Sequence, residues 1–253
     1  MSSTLDSPFM VFVVFLAAQW VGAYCGDLFR TRVHRPRKDE LTDFDKIQAA
    51  TLTLLALIIG FTFSMAVTRY DQRKNYEAAE ANAIGTEYVR AGLLPADDAA
   101  KARQLLRDYL AQRIAYYEAR DQRQTGEPDA DAAKLQTELW SAILPPAQKQ
   151  PTPIIALTVW GMNDVLNAQS YTQAAGWNRI PVAAWVLMGL IAIACNVLIG
   201  YGERRGGLLV LLVLPIIVSV SFLLIADIDS PRGGVIRVLP YNLIALSQSM
   251  KAQ

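Results

Sequence analysis

Polar and apolar positions along the chain separate into blocks before any finer period shows. Four windows contain no Asp, Glu, Lys or Arg: residues 7–26, 47–68, 180–202 and 206–226, of 20, 22, 23 and 21 residues. A helix rises about 1.5 Å per residue, so each window is long enough to cross a hydrocarbon core of about 30 Å. The pattern predicts an all-α integral membrane protein with spans over about 8–26, 47–68, 181–202 and 207–226. The spans group as two hairpins with a helical extramembrane domain between the second and third. The expected organisation is a first hairpin in 1–68, the extramembrane domain in 69–179, a second hairpin in 180–226 and a C-terminal tail in 227–253. The first window is read as a retained span and not a signal peptide. The stretch before it has no Lys or Arg, and its apolar run is longer than a signal core.

Residues 69–179 mix 13 Lys/Arg with 14 Asp/Glu and are rich in strong helix formers. One helix is expected over about 70–91, continuing the second span and ending before Gly92 and Pro95. A second is expected over about 97–123, with Ala102, Leu105, Leu106, Tyr109, Leu110, Ile114 and Tyr117 along one face and Asp97 and Asp98 in the first turn. The segment from Thr125 to Pro128 is expected to end it. A short helix over about 131–143 is expected to stop at Pro145 and Pro146. The 14 uncharged residues 150–163 are too few to span and predict a buried or interfacial helix.

Composition sharpens this picture. Hydrophobic residues make up 53% and charged residues 19%, below the roughly 25% charge of soluble domains, and the deficit is concentrated in the four windows of spanning length, which excludes a soluble enzyme. A formal net charge of +1 excludes a nucleic-acid binder acting through bulk charge. Cys25 and Cys195 lie in apolar windows, and His34 is the one histidine, so no metal site, cofactor or catalytic set is expected. The two connections, 27–46 with six Lys/Arg and 202–207 with Arg204 and Arg205, are basic. The positive-inside rule places them in the cytoplasm and residues 69–179 outside, while Arg69, Arg73 and Lys74 beside the second span point the other way.

Small residues mark where helix backbones approach in lipid. The first span carries Ala18, Gly22 and Gly26, and the second Ala56, Gly60 and Ser64, each at spacings of four. These stripes are helix-packing candidates, on one another or between subunits. On the opposite face of the second span, Thr51, Leu55, Ile58, Thr62, Ala66 and Arg69 form a strip with polar ends and an apolar middle. Hydroxyls that hydrate an ion and a dry girdle that gates it are what a pore-lining helix needs, so these six are the pore-lining candidates. The plainer reading is that each Thr bonds its own helix carbonyl four residues back. Gln19 and Asn196 are expected to hydrogen-bond between helices, and Pro215 to kink the last span. No ionisable residue lies inside a span, which argues against a proton-driven transporter. After the last span, Asp227, Asp229 and Arg232 suit either a turn held by Asp–Arg pairing or an acidic ring at a pore mouth.

The run 57–75, Leu-Ile-Ile-Gly-Phe-Thr-Phe-Ser-Met-Ala-Val-Thr-Arg-Tyr-Asp-Gln-Arg-Lys-Asn, followed by Glu-Ala-Asn-Ala-Ile-Gly-Thr at 80–86, resembles a bacterial family of uncharacterised membrane proteins described as bestrophin-like. The segment 227–238, Asp-Ile-Asp-Ser-Pro-Arg-Gly-Gly-Val-Ile-Arg-Val, is similar to that family's second signature. The resemblance implies a ring-shaped homo-oligomer, multi-pass in the bacterial inner membrane, that conducts small inorganic ions along an axis lined by the second span. It implies a hydrophobic neck near Ile58 and Phe61 or Phe63, and a cytoplasmic 69–179 domain. Its partners are then the lipid bilayer, other copies of the chain and ions, with no nucleic acid. A second reading is a non-conducting scaffold or sensor that binds a partner through residues 69–179, with Tyr109, Tyr116 and Tyr117 on the docking face.

Overall fold

The computed structural model describes residues 7–33, 38–119, 126–202 and 208–252, and among them there are helices and no strand. In chain order these are α1 (Pro8–Arg32), α2 (Lys38–Arg90), a 3-10 turn (Ala91–Leu93), α3 (Ala96–Glu118), α4 (Gly126–Lys149), α5 (Pro153–Trp177), α6 (Val182–Gly202), α7 (Leu208–Asp229) and α8 (Tyr241–Lys251). Four helical segments, within Pro8–Arg32, Phe44–Leu93, Pro153–Gly202 and Leu212–Asp229, are long and apolar enough to cross a membrane. Residues 203–207, with Arg204 and Arg205, and His34 lie outside the described residues.

Several boundaries differ from the sequence expectation. The helix expected at 70–91 does continue the second span, and the joined helix of 53 residues begins at Lys38, earlier than the expected start near 47. The helix expected over 97–123 ends at Glu118, where Ala119 turns extended at φ −60°, ψ 127°. Pro145 and Pro146 do not stop α4, which runs on to Lys149. Proline's fixed φ suits a helix, and near the last turn its cost is confined to the carbonyls left without an amide. Residues 153–163 of the 150–163 segment open a 25-residue helix, α5, that runs on to Trp177. Its start is well specified: Pro153 stands at the first position and the Thr152 hydroxyl accepts a 3.2 Å bond from the Ile155 amide. In the tail, α8 has no counterpart in the sequence expectation.

The chain forms two compact units: residues 1–68 with 179–236, and residues 69–178 with 237–253. The two expected hairpins thus fall in one unit, and the tail is divided between both. Helix α2 contributes residues 38–68 to the first unit and 69–90 to the second.

In the first unit α1 packs along α6 and α7. The packing partner of the Ala18/Gly22/Gly26 stripe is the third span, not the Ala56/Gly60/Ser64 stripe. A Cβ on Gly22 would meet the Ile193 carbonyl oxygen at 3.2 Å, and one on Gly26 would collide with that of Val197. Gly200 of α6 answers from the other side, where a Cβ would run into the Ala23 carbonyl oxygen. Backbones this close gain van der Waals contact that a side chain would forbid. Nearby, Phe15 meets the edge of Phe222 at 4.7 Å and lies 6.3 Å from Trp185, joining α1, α6 and α7. The same helices share a buried polar triad. The Gln19 amide donates to Ser219 Oγ at 2.9 Å, and the Asn196 amide donates to Gln19 Oε1 at 3.0 Å.

The second unit has its own core, built around Ile84, Leu106, Tyr109, Leu139, Met162, Val165 and Leu243. The apolar face expected on α3 points into it: Ala102, Leu106, Tyr109 and Leu110 are buried, with Leu105, Ile114 and Tyr117 packed against them. Tyr109, Tyr116 and Tyr117 are therefore used internally and do not form an open docking face. Glu77 secures α8 by accepting from the Asn242 and Leu243 amides at 3.0 and 3.1 Å, which meets two of the orphan donors of that helix start.

Candidate functional site

The second span, residues 47–68 of α2, has two unlike faces. Leu55, Thr62 and Ala66 of the expected pore strip are buried, with 2%, 4% and 0% exposure. Thr51, Ile58 and Arg69 are half-buried. The strip thus faces mainly the chain's own interior, and three of its six residues are closed to any axis between subunits. The Thr51 hydroxyl donates to the Ile47 carbonyl at 2.7 Å and that of Thr62 to Ile58 at 2.8 Å, the plainer reading for each.

The exposed face carries other residues. Thr53, Leu57, Phe61, Met65 and Thr68 recur every three or four positions and are all exposed, Leu57 by 53% and Phe61 by 66%. This face repeats the hydroxyl-ended, apolar-centred order that the sequence reading sought on the opposite side. A helical wheel cannot say which side of a span the rest of the fold will cover, and here the fold covers the other one. The small stripe lies between the two faces. Ala56, Gly60 and Ser64 are exposed, and no atom lies within 4 Å of a Cβ built on Gly60. Ala56 and Gly60 floor an apolar groove of about 440 Å³ whose other wall is α7, through Leu214, Ile217, Val218 and Ser221.

The turn after α7 uses its carboxylates internally. Asp227, 9% exposed, accepts from the Val235 and Ile236 amides at 2.8 and 2.7 Å. Asp229, 5% exposed, takes the Ile180 amide on both oxygens at 3.1 and 3.2 Å, tying the end of α7 to the start of α6. A Cβ on Gly234 would lie 2.6 Å from the Asp227 carbonyl oxygen, so the turn closes only around glycine. Both carboxylates are thus engaged by backbone amides of the turn and of the start of α6.

In the second unit, the Glu80 carboxylate and the Arg113 guanidinium form an ion pair with side-chain exposures of 0% and 1%. Tyr117 and Thr172 donate their hydroxyls to Glu80 Oε2 at 3.3 and 3.2 Å, and Arg113 lies over the Tyr116 ring at 4.3 Å. Burial alone would lower the Arg113 pKa, but the Glu80 charge and hydrogen bond outweigh it and hold the guanidinium charged. Burial first, then Glu80, push the Tyr117 hydroxyl up, so it stays a donor. Tyr109 donates to Gln169 Oε1 at 2.9 Å and shares that acceptor with Gln136. Among the described residues no group of three or more His, Cys, Asp or Glu could hold a metal ion.

Sequence reasoning placed Gln19 and Asn196 between helices but missed Ser219, and it missed Glu80–Arg113 altogether. Glu80 stands in a quoted motif, yet nothing in a single sequence joins it to a residue 33 positions on.

Four apolar helices of spanning length and charge-free spans define a multi-pass helical membrane protein. The sequence model of the Bestrophin-like domain matches residues 13–243, and the chain belongs to that family. Crystal structures of a bacterial bestrophin homolog from Klebsiella pneumoniae share the fold. A mutant form of that homolog superposes with a TM-score of 0.66 at 12% identity, covering 95% of this chain and 96% of that one. The structure of the homolog phased with zinc gives 0.63 at 12% identity, over 96% and 95%. The crystal structure of a mutant described only as a membrane protein gives 0.64 at 14% identity, over 95% and 96%. No curated protein matches the chain.

Proposed function

We propose that the chain is the subunit of a bestrophin-type homo-oligomeric ion channel in the bacterial inner membrane, its axis lined by the exposed face of the second span. The observation that carries this reading is the strip Thr53, Leu57, Phe61, Met65 and Thr68, exposed along its whole length on a helix that buries Leu55, Thr62 and Ala66. Thr53 and Thr68 donate to the carbonyls of Ala49 and Ser64, leaving oxygen lone pairs directed outward at the two ends. Leu57 and Phe61, repeated around a ring, form an apolar constriction that gates by excluding water. Thr51 and Ile58 flank this face, and Leu55, Thr62 and Ala66 support it from behind. Ala56, Gly60 and Ser64 form the seam on which the neighbouring subunit packs. Residues 69–178 with the last helix form the extramembrane domain, and Asp227, Asp229 and Arg232 shape the turn leading to it.

Ion flux in sealed liposomes, with chloride and potassium gradients applied separately, tests the reading. Flux that rises when Phe61 is changed to Ala supports it. Folded, oligomeric protein that carries no flux under either gradient overturns it in favour of a non-conducting scaffold or sensor.

A further inference from the structure

Glu87 stands apart from the other buried carboxylates of the second unit. Glu77 is met by amides of α8, and Glu80 by Arg113, Tyr117 and Thr172. Glu87 is 0% exposed, and neither of its carboxyl oxygens has a hydrogen-bond partner among the described residues. Its side chain lies directly over Gly161 of α5: a Cβ there would collide with Glu87 Oε2 and sit 2.8 Å from Arg90 Nη1. Glycine at 161 is what admits the carboxyl group between the two helices.

An ionised carboxylate with no donor in a dry contact is strongly disfavoured, whereas a neutral carboxyl group is tolerated. We propose that Glu87 is a proton-occupied latch between α2 and α5: the neutral carboxyl seats against Gly161, and loss of its proton drives it out and loosens the contact. The charges around it are few. On its own helix Arg90 favours the ionised form, and on α5 the exposed Asp164 opposes it. The nearby cations of α3 are engaged with Tyr88: Arg103 donates to its carbonyl at 3.1 Å and Arg107 to its hydroxyl at 2.9 Å. Burial is the largest influence on Glu87, ahead of Arg90 and Asp164, and its pKa is raised from 4.5 to about 8. The latch is therefore tightest in acid and loosens as pH rises, the loss being complete once pH passes about 8. This inference goes beyond the channel reading and stands without it.

Hydrogen exchange of the full chain, corrected for the intrinsic effect of pH, tests it on peptides covering residues 84–93 and 155–165. Protection is expected to be full below about pH 4.5, to fall as pH rises from there and to level off once pH passes about 8. Glu87→Gln, which keeps the shape without the charge, removes the transition. Asp164→Asn moves the midpoint down and Arg90→Gln moves it up. If Glu87→Gln fails to fold, the opposed shifts of these two charge variants decide the matter. Protection that ignores pH in the unaltered protein, an unchanged transition in folded Glu87→Gln, or a midpoint unmoved by both charge variants overturns the proposal.

Discussion

Glu80 and Arg113, 33 residues apart, meet as a buried ion pair in the second unit, the carboxylate also taking hydroxyls from Tyr117 and Thr172. Removing one partner strands the other charge in a place with no water to compensate it. Arg113→Met is expected to destabilise the protein by about 3–5 kcal/mol, and the double change Glu80→Leu with Arg113→Met by clearly less. Thermal unfolding of both variants in detergent checks this.

Gly26 and Gly60 carry the same residue type into opposite surroundings. Alanine at 26 drives its methyl into the Val197 carbonyl of α6, and the bundle must part. The expected cost is about 1–3 kcal/mol. Alanine at 60 meets nothing within 4 Å in one chain and is expected to change subunit stability by no more than about 0.5 kcal/mol. If the seam lies there, Gly60→Leu weakens the oligomer while the subunit stays folded. Mass measurement in detergent, paired with thermal unfolding, reads both effects.

Conduction is expected to follow the exposed face and not the buried one. Phe61→Ala and Leu57→Ala widen and wet the constriction and are expected to raise flux, while Phe61→Trp lowers it. Thr62→Leu enlarges a buried side chain, so its effect is expected on thermal stability, with ion selectivity unchanged in the protein that folds. Liposome flux and reversal potentials separate these outcomes.

The raised pKa of Glu87 gives stability a definite pH dependence. In the unfolded chain the carboxyl titrates near 4.5; in the folded protein it titrates near about 8. The folded state therefore holds the extra proton between these values. The stability linked to it is complete below about 4.5, declines as pH rises and is lost once pH passes about 8. Unfolding followed across this window is expected to show the decline in the unaltered protein and a flatter profile in Glu87→Gln.

The spans were legible because lipid imposes a plain rule: a helix of enough length without charge. The α3 face from Ala102 to Tyr117 was legible for a related reason, since a repeating apolar stripe has to be covered. The wheel of the second span was legible too, but not its orientation. Leu55, Thr62 and Ala66 form as good a strip as Thr53, Leu57 and Phe61, and only the packing of the chain decides which is closed. The same holds for the Ala18/Gly22/Gly26 stripe. Its small residues announced a close approach, and the structure supplied Ile193 and Val197 as the surface approached.

By itself, the sequence determined an all-helical membrane protein, the extent of its apolar windows and the resemblance to its family, because these rest on local composition and spacing. Tertiary structure alone decided that Asp227 and Asp229 hold a turn, that Glu80 finds Arg113, and that Glu87 comes to rest on Gly161. Each of those joins positions that only the folded chain brings together. A single sequence holds no record of such distances, and the contact exists only once the helices have packed.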